Sequence, residues 1–154
     1  MSSAFEEAEA GGDGDLTDLL GELRILLPAS QLLSGFLIAV PFAPGFTTLV
    51  GSEKHVFLAT FVFALISLVM LSAPAIQHRL IRPLRHRERF KVVAGRQTLL
   101  GAVTLAIALV LATQLVLSAV MGDIVGNVAA GAFAVLILAM WWLLPLCLRR
   151  QDHL

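Results

Sequence analysis

The chain is predicted to fold as an all-α, transmembrane four-helix bundle built from two helical hairpins, with a short N-terminal amphipathic helix. Three observations predict this. Hydrophobic residues make up 58 % of the 154 residues and charged ones only 14 %, against about 45–50 % apolar in soluble domains, and mean hydropathy is +0.87. Four runs, residues 25–43, 55–77, 98–120 and 124–148, contain no internal Asp, Glu, Lys or Arg, and each reaches or nearly reaches the ~20 helical residues that span a ~30 Å hydrocarbon core. Basic residues gather in two places: Arg79, Arg82, Arg85, Arg87, Arg89, Lys91 and Arg96 between the second and third runs, and Arg149 with Arg150 after the fourth. By the positive-inside rule both segments are cytoplasmic. An even number of spans then places the N-terminus inside too, and only Lys54 of the 11 basic side chains falls outside.

Residues 1–14, rich in Glu, Gly, Ser and Ala, have little to bury and are expected to form a disordered acidic tail. A single four-span domain, residues 15–150, follows. Leu16, Leu19, Leu20, Leu23, Leu26 and Leu27 recur at spacings of three and four, the pattern of an amphipathic helix, with Asp15 suited to cap it. Two dispositions stay open. The helix lies in the interface and turns at Pro28, or it extends span one through the headgroups. The acidic residues before span one argue against a cleaved signal peptide. Val40-Pro41-Phe42-Ala43-Pro44-Gly45 ends the span. Pro74 is expected to kink or end span two. Only Met121, Gly122 and Asp123 separate spans three and four, which requires a tight hairpin, and Asp123 can cap the fourth helix through its carboxylate.

Helices in lipid gain little from hydrophobicity when they pair, so small residues at fourth positions are the useful packing signal. Gly122, Gly126, Ala130 and Ala134 form such a ladder on span four. Gln97, Gly101, Thr104, Ala108 and Ala112 share a face on span three, and Ser30 with Ser34 and Gly35 with Ala39 do so on span one. Intrachain packing and a subunit interface are the two uses of these stripes.

Several function classes are disfavoured. Ionisable groups inside the membrane mark ion and proton pathways, and the runs hold none, which argues against a proton- or ion-coupled transporter. His55, His78, His86 and His153 all lie at ends or in loops, so no facing pair can hold a haem and no metal site or cofactor is expected. The spans lack a Ser–His pair, paired Asp residues and an HExxH motif. The basic loop lacks the acid or nucleophile that phosphoryl transfer needs, so no enzymatic activity and no nucleic-acid binding are expected. Cys147, the single cysteine, excludes an intrachain disulfide. The remaining polar span residues are Gln31, Ser34, Thr60, Ser67, Thr104, Thr113, Gln114, Ser118 and Asn127. They suit interhelical hydrogen bonds or, for Gln31, Thr104, Gln114 and Asn127 facing one axis, a narrow uncharged pore. Arg82, Arg85, Arg87, Arg89 and Lys91 suit anionic headgroups or an acidic partner, which could be the chain's own segment from Glu6 to Glu22.

Glu22-Leu23-Arg24, Gln31-Leu32-Leu33 with Phe36-Leu37, Pro41-Phe42, Ala73-Pro74 followed by His78-Arg79-Leu80, Arg96, and Asp123-Ile124-Val125-Gly126 recur in an order and spacing that resembles a bacterial family of small four-span membrane proteins, domain of unknown function 6328. The similarity covers residues 15–148. It departs at Ala29-Ser30, where Gly and an apolar residue are expected, and at Gly95, where Asn often precedes the arginine. The resemblance implies a multi-pass protein of the cytoplasmic membrane and no particular activity. It singles out Glu22, Arg24, Gln31, His78, Arg79 and Arg96 as a polar cluster at the inner mouth of the bundle, with Glu22 pairing Arg79 or Arg96.

The function expected is that of a non-enzymatic, self-associating membrane protein permeating an ion or small solute. The alternative is an accessory or scaffold subunit docking a membrane-protein partner through residues 79–96.

Overall fold

The computed structural model describes the backbone of residues 2–48, 50–80 and 87–151, and the side chains of 21–48, 50–80 and 89–148. Its described residues are helical apart from short connections, in the order α1 (Ser2–Ala39), α2 (Gly51–Leu80), α3 (Arg87–Met121), α4 (Asp123–Leu138) and α5 (Leu144–Gln151). Two 3₁₀ turns, Val40–Phe42 and Phe46–Thr48, lie between α1 and α2, and a π turn, Ala139–Leu143, joins α4 to α5. Four stretches are long and apolar enough to cross a membrane: Gly21–Phe42, Gly51–Leu80, Arg89–Met121 and Asp123–Leu148. The fold is the expected all-α, four-helix transmembrane one, with one apolar run in each of the four stretches. Large apolar side chains such as Leu32, Phe36, Val69, Val128 and Leu136 are exposed on all four, as suits helices solvated by lipid rather than water.

Three local features differ from expectation. The backbone of α1 is helical from Ser2, so Asp15 lies inside the helix and does not start it. Extending a helix already nucleated by a membrane span fixes one residue per added bond, which is far cheaper than starting a new helix. Pro28 likewise sits inside α1, so the amphipathic stretch continues span one. Pro74, expected to kink or end span two, does not end it: it is interior to α2, which runs six residues further to Leu80. At the α3–α4 turn the N-cap is Gly122, with φ 94° and no side-chain cap bond, while Asp123 occupies the first turn. Its carboxylate there favours the positive end of the helix dipole without capping it.

The π turn has a local cause. Pro145 lacks an N–H and its ring would strike the carbonyl four residues back, that of Trp141. Widening the preceding turn, Ala139–Leu143, accommodates the ring without breaking the helix.

The chain divides into two compact units, Met1–Phe42 with Ala64–Leu105, and Ala43–Phe63 with Ala106–Leu154. In the first, the buried residues are Leu23, Ser30, Ser34 and Leu37 on α1, Ala64, Ser67, Leu71 and Pro74 on α2, and Phe90, Ala94, Thr98, Gly101 and Leu105 on α3. Spacings of three and four on each helix put these on one stripe, the seam of knobs-into-holes packing. The second unit buries Phe57, Thr60, Ala108, Ser118, Gly126, Ala130 and Ile137. Phe57 anchors its connection: Phe46 meets it edge-on at 5.1 Å and Phe61 lies parallel to it at 6.3 Å. The Val50 N–H donates to Glu53 Oε2 at 2.8 Å, the backward half of a capping box that starts α2.

Candidate functional site: polar groups within and beside the spans

In the first unit, hydroxyl groups tie three helices together. Ser30 Oγ on α1 donates to Ser67 Oγ on α2 at 3.3 Å and approaches the Ala64 carbonyl at 3.5 Å. Ser67 Oγ then donates to the Gly101 carbonyl on α3 at 2.9 Å. Both serines are completely buried. The contact depends on Gly101: a Cβ there would lie 2.7 Å from Leu71 Cγ and 3.3 Å from the Leu71 backbone nitrogen. Absence of that Cβ brings the α3 backbone near enough for its carbonyl to accept from α2. Thr104 Oγ1 also donates to the Gly101 carbonyl, at 3.0 Å.

In the second unit, the close approach is between α3 and α4 at Gly126. A Cβ on Gly126 would collide with Ser118 Oγ and lie 2.7 Å from the Ser118 nitrogen and 2.9 Å from the Gln114 carbonyl oxygen. Beside it Gln114 Nε2 donates to Ser118 Oγ at 3.1 Å and to Asn127 Oδ1 at 3.5 Å. Of the small-residue ladder, Gly126 and Ala130 are buried and Ala134 half-buried, but Gly122 is exposed with nothing near its Cβ position. Gly122 serves the turn, because φ 94° is reached without strain only when no Cβ is present. On span one, Ser30 and Ser34 are buried, whereas Gly35 and Ala39 are exposed.

The other span hydroxyls bond along their own helices: Thr60 to the Val56 carbonyl at 2.7 Å, Thr98 to Ala94 at 3.0 Å and Thr113 to Leu109 at 2.8 Å. Ser34 Oγ, Gln97 Oε1 and Gln114 Oε1 are buried without a hydrogen-bonding partner. Gln31 and Asn127 are exposed.

The six residues of the expected inner-mouth cluster all belong to the first unit. Glu22, Arg24, Gln31, Arg79 and Arg96 are exposed and His78 is half-buried, its ring tilted over Phe90 at 5.9 Å. No ion pair joins Glu22 to Arg79 or Arg96 among the described residues. Arg89 is exposed and Lys91 half-buried with an interaction of its own. Arg82 and Arg85, the side chain of Arg87 and the docking of the acidic segment onto the loop lie outside the described residues. Among the described residues, no group of three or more His, Cys, Asp or Glu could hold a metal ion.

Sequence reasoning treated Ser30 as a small packing residue and missed its hydroxyl as a bonding group. The available signal was the run Phe57, Thr60, Ala64, Ser67, Leu71 and Pro74, whose alternating spacing of three and four places Ser67 on the α2 seam, where a small polar partner is needed.

Comparison with curated proteins and with solved structures finds no match. A family model, described as a family of unknown function (DUF6328), matches residues 6–145. That match covers the first three membrane-length helices and most of the fourth, and the protein is a membrane protein that belongs to the DUF6328 family.

Proposed function

We propose that the protein is a non-enzymatic, multi-pass component of the bacterial cytoplasmic membrane, with both termini cytoplasmic, that works as a homo-oligomer passing an ion or small solute. One observation supports this reading above others: two carboxamides within membrane-crossing stretches, Gln31 and Asn127, are exposed on the single chain. Gln114 takes up only the Asn127 oxygen, and hydrocarbon offers the remaining carboxamide groups no hydrogen-bonding partner. A second copy of the chain or water in a narrow path does. Final-span burial agrees, since only 6 % of its most apolar stretch is buried against 28 % in α2, which leaves room for another helix.

The test is the mass of the complex purified gently from native membranes, followed by flux assays in liposomes. A defined homo-oligomer is expected. Replacing Gln31 and Asn127 together by Leu removes interhelical polar contacts of ~1–2 kcal/mol each and should reduce flux roughly tenfold. A monomer, or flux indifferent to both changes, overturns the proposal. A one-to-one complex with another protein, lost on charge reversal at Arg82, Arg85 and Arg89, would instead make the chain an accessory subunit docked through residues 79–96.

A further inference from the structure

The face of α3 turned away from the buried seam combines two chemistries. Arg89 and Arg96 are both exposed, seven residues apart, so they lie on one helix face about 10 Å apart along the axis. Val92, Val93, Leu99 and Leu100 occupy the positions three and four residues from Arg96 on either side and are 47–56 % exposed. Ala94 and Thr98, on the opposite side of the helix, are buried. The strip is therefore not a solvated polar face, because each guanidinium stands among apolar side chains that would face acyl chains. Nor is it a purely hydrocarbon face. Arg96 directly precedes the charge-free run 98–120, and Arg89 lies two turns nearer the basic loop. Side chains on a helix lean toward its N-terminus, so Arg96 snorkels toward the same headgroup layer as Arg89. Neither arginine forms an ion pair among the described residues.

We propose that this strip binds an anionic glycerophospholipid, its phosphate held by the Arg96 and Arg89 guanidiniums and its acyl chains lying along Val92, Val93, Leu99 and Leu100. The guanidinium fork matches phosphate oxygens in a bidentate arrangement that a point charge does not reproduce. Only a lipid satisfies both halves of the strip. A free phosphate would leave the apolar side chains unmatched, and an acidic protein segment would have to enter the hydrocarbon boundary. This inference is independent of oligomerisation and solute passage.

Native mass spectrometry of the purified full-length protein, supplied with dioleoyl phosphatidylglycerol or dioleoyl phosphatidylcholine, tests it. The wild type should retain phosphatidylglycerol in preference to phosphatidylcholine, and excess inorganic phosphate should not displace it. Each basic side chain near a membrane surface is worth ~1 kcal/mol toward anionic lipid, so Arg96→Gln should weaken retention about fivefold and Arg89→Gln with Arg96→Gln more than tenfold. Arg96→Lys should fall between, having kept the charge and lost the fork. Arg82→Gln with Arg85→Gln, in the preceding loop, should leave retention within twofold. Equal retention of the two lipids, retention unaffected by the Arg89 and Arg96 changes, or loss caused only by the loop changes would each overturn the assignment. Both arginines are exposed, so unchanged thermal unfolding in phosphatidylcholine micelles confirms that the variants remain folded.

Discussion

The two units bring helices together by different means. In the first, α2 and α3 approach at Gly101, and the opening is used by a hydroxyl: Ser67 donates across it to a main-chain carbonyl while accepting from Ser30 on α1. In the second, α3 and α4 approach at Gly126 so closely that backbone atoms, the Ser118 nitrogen and the Gln114 oxygen, face it together with the Ser118 hydroxyl. Here the bond between the helices runs from one side chain to another, Gln114 Nε2 to Asn127 Oδ1, and not to the backbone the glycine uncovers. The difference teaches that a small residue in a membrane helix has two separable uses. It admits a neighbouring backbone, or it admits a polar group that bonds to the backbone it uncovers.

The sharpest way to break the comparison is Gly126→Ala. The added methyl meets the Ser118 hydroxyl and, behind it, rigid main chain, and overpacking of a close contact costs ~1–3 kcal/mol, with this site expected near ~3. Reversible unfolding in mixed micelles would measure it, with Gly131→Ala as the control, since nothing lies near that Cβ position and its loss should stay under ~0.5 kcal/mol. Equal effects at the two positions would mean that α3 and α4 are not in contact as described.

Gly101→Ala should be milder. Its nearest neighbours are side-chain atoms of Leu71, with the Leu71 nitrogen further away at 3.3 Å. A leucine side chain can shift where backbone cannot, although Leu71 is itself fully buried, so ~1–2 kcal/mol is expected in the same assay. A cost above that of Gly126→Ala would reverse the ranking of the two contacts.

Smallest is the hydroxyl chain. Ser67→Ala removes the donor to Gly101 and the acceptor for Ser30, and interhelical hydrogen bonds in membranes average ~0.6 kcal/mol with a maximum near ~1.7, so a loss of ~1 kcal/mol is expected. Ser34→Ala is the informative contrast. Its hydroxyl is buried and unpartnered, and removing an unsatisfied polar group is neutral or stabilising. A destabilisation by Ser34→Ala equal to that by Ser67→Ala would show that Ser34 makes a bond of its own.

Much of the fold was legible because its causes are local in sequence. Runs without charge, bounded by Pro41, Pro44 and Gly45 or by the turn around Gly122, demand helices that satisfy their own backbone in lipid. The candidate site was legible only in part. Gly126 and Ala130 were readable as packing residues, because a ladder at fourth positions has one geometric meaning. Gly122, in the same ladder, takes a φ that is a property of the turn and not of the spacing. Ser30 and Gly35 offered equal signals as small residues, yet one is buried in a hydrogen-bonded chain and the other is exposed. Which face of α1 turns inward depends on residues some 34 to 37 positions away.

The amino-acid sequence by itself determined the class of solvent, the number of helices, their approximate ends and the excess of basic residues beside the second and third spans, because hydropathy and charge act residue by residue. Only the tertiary structure decided which small residue admits a backbone and which admits a hydroxyl. It also decided that, among the described residues, Glu22 makes no ion pair with Arg79 or Arg96. Those outcomes depend on the rotation of each helix about its axis, which is set by the packing of its neighbours rather than by its own sequence.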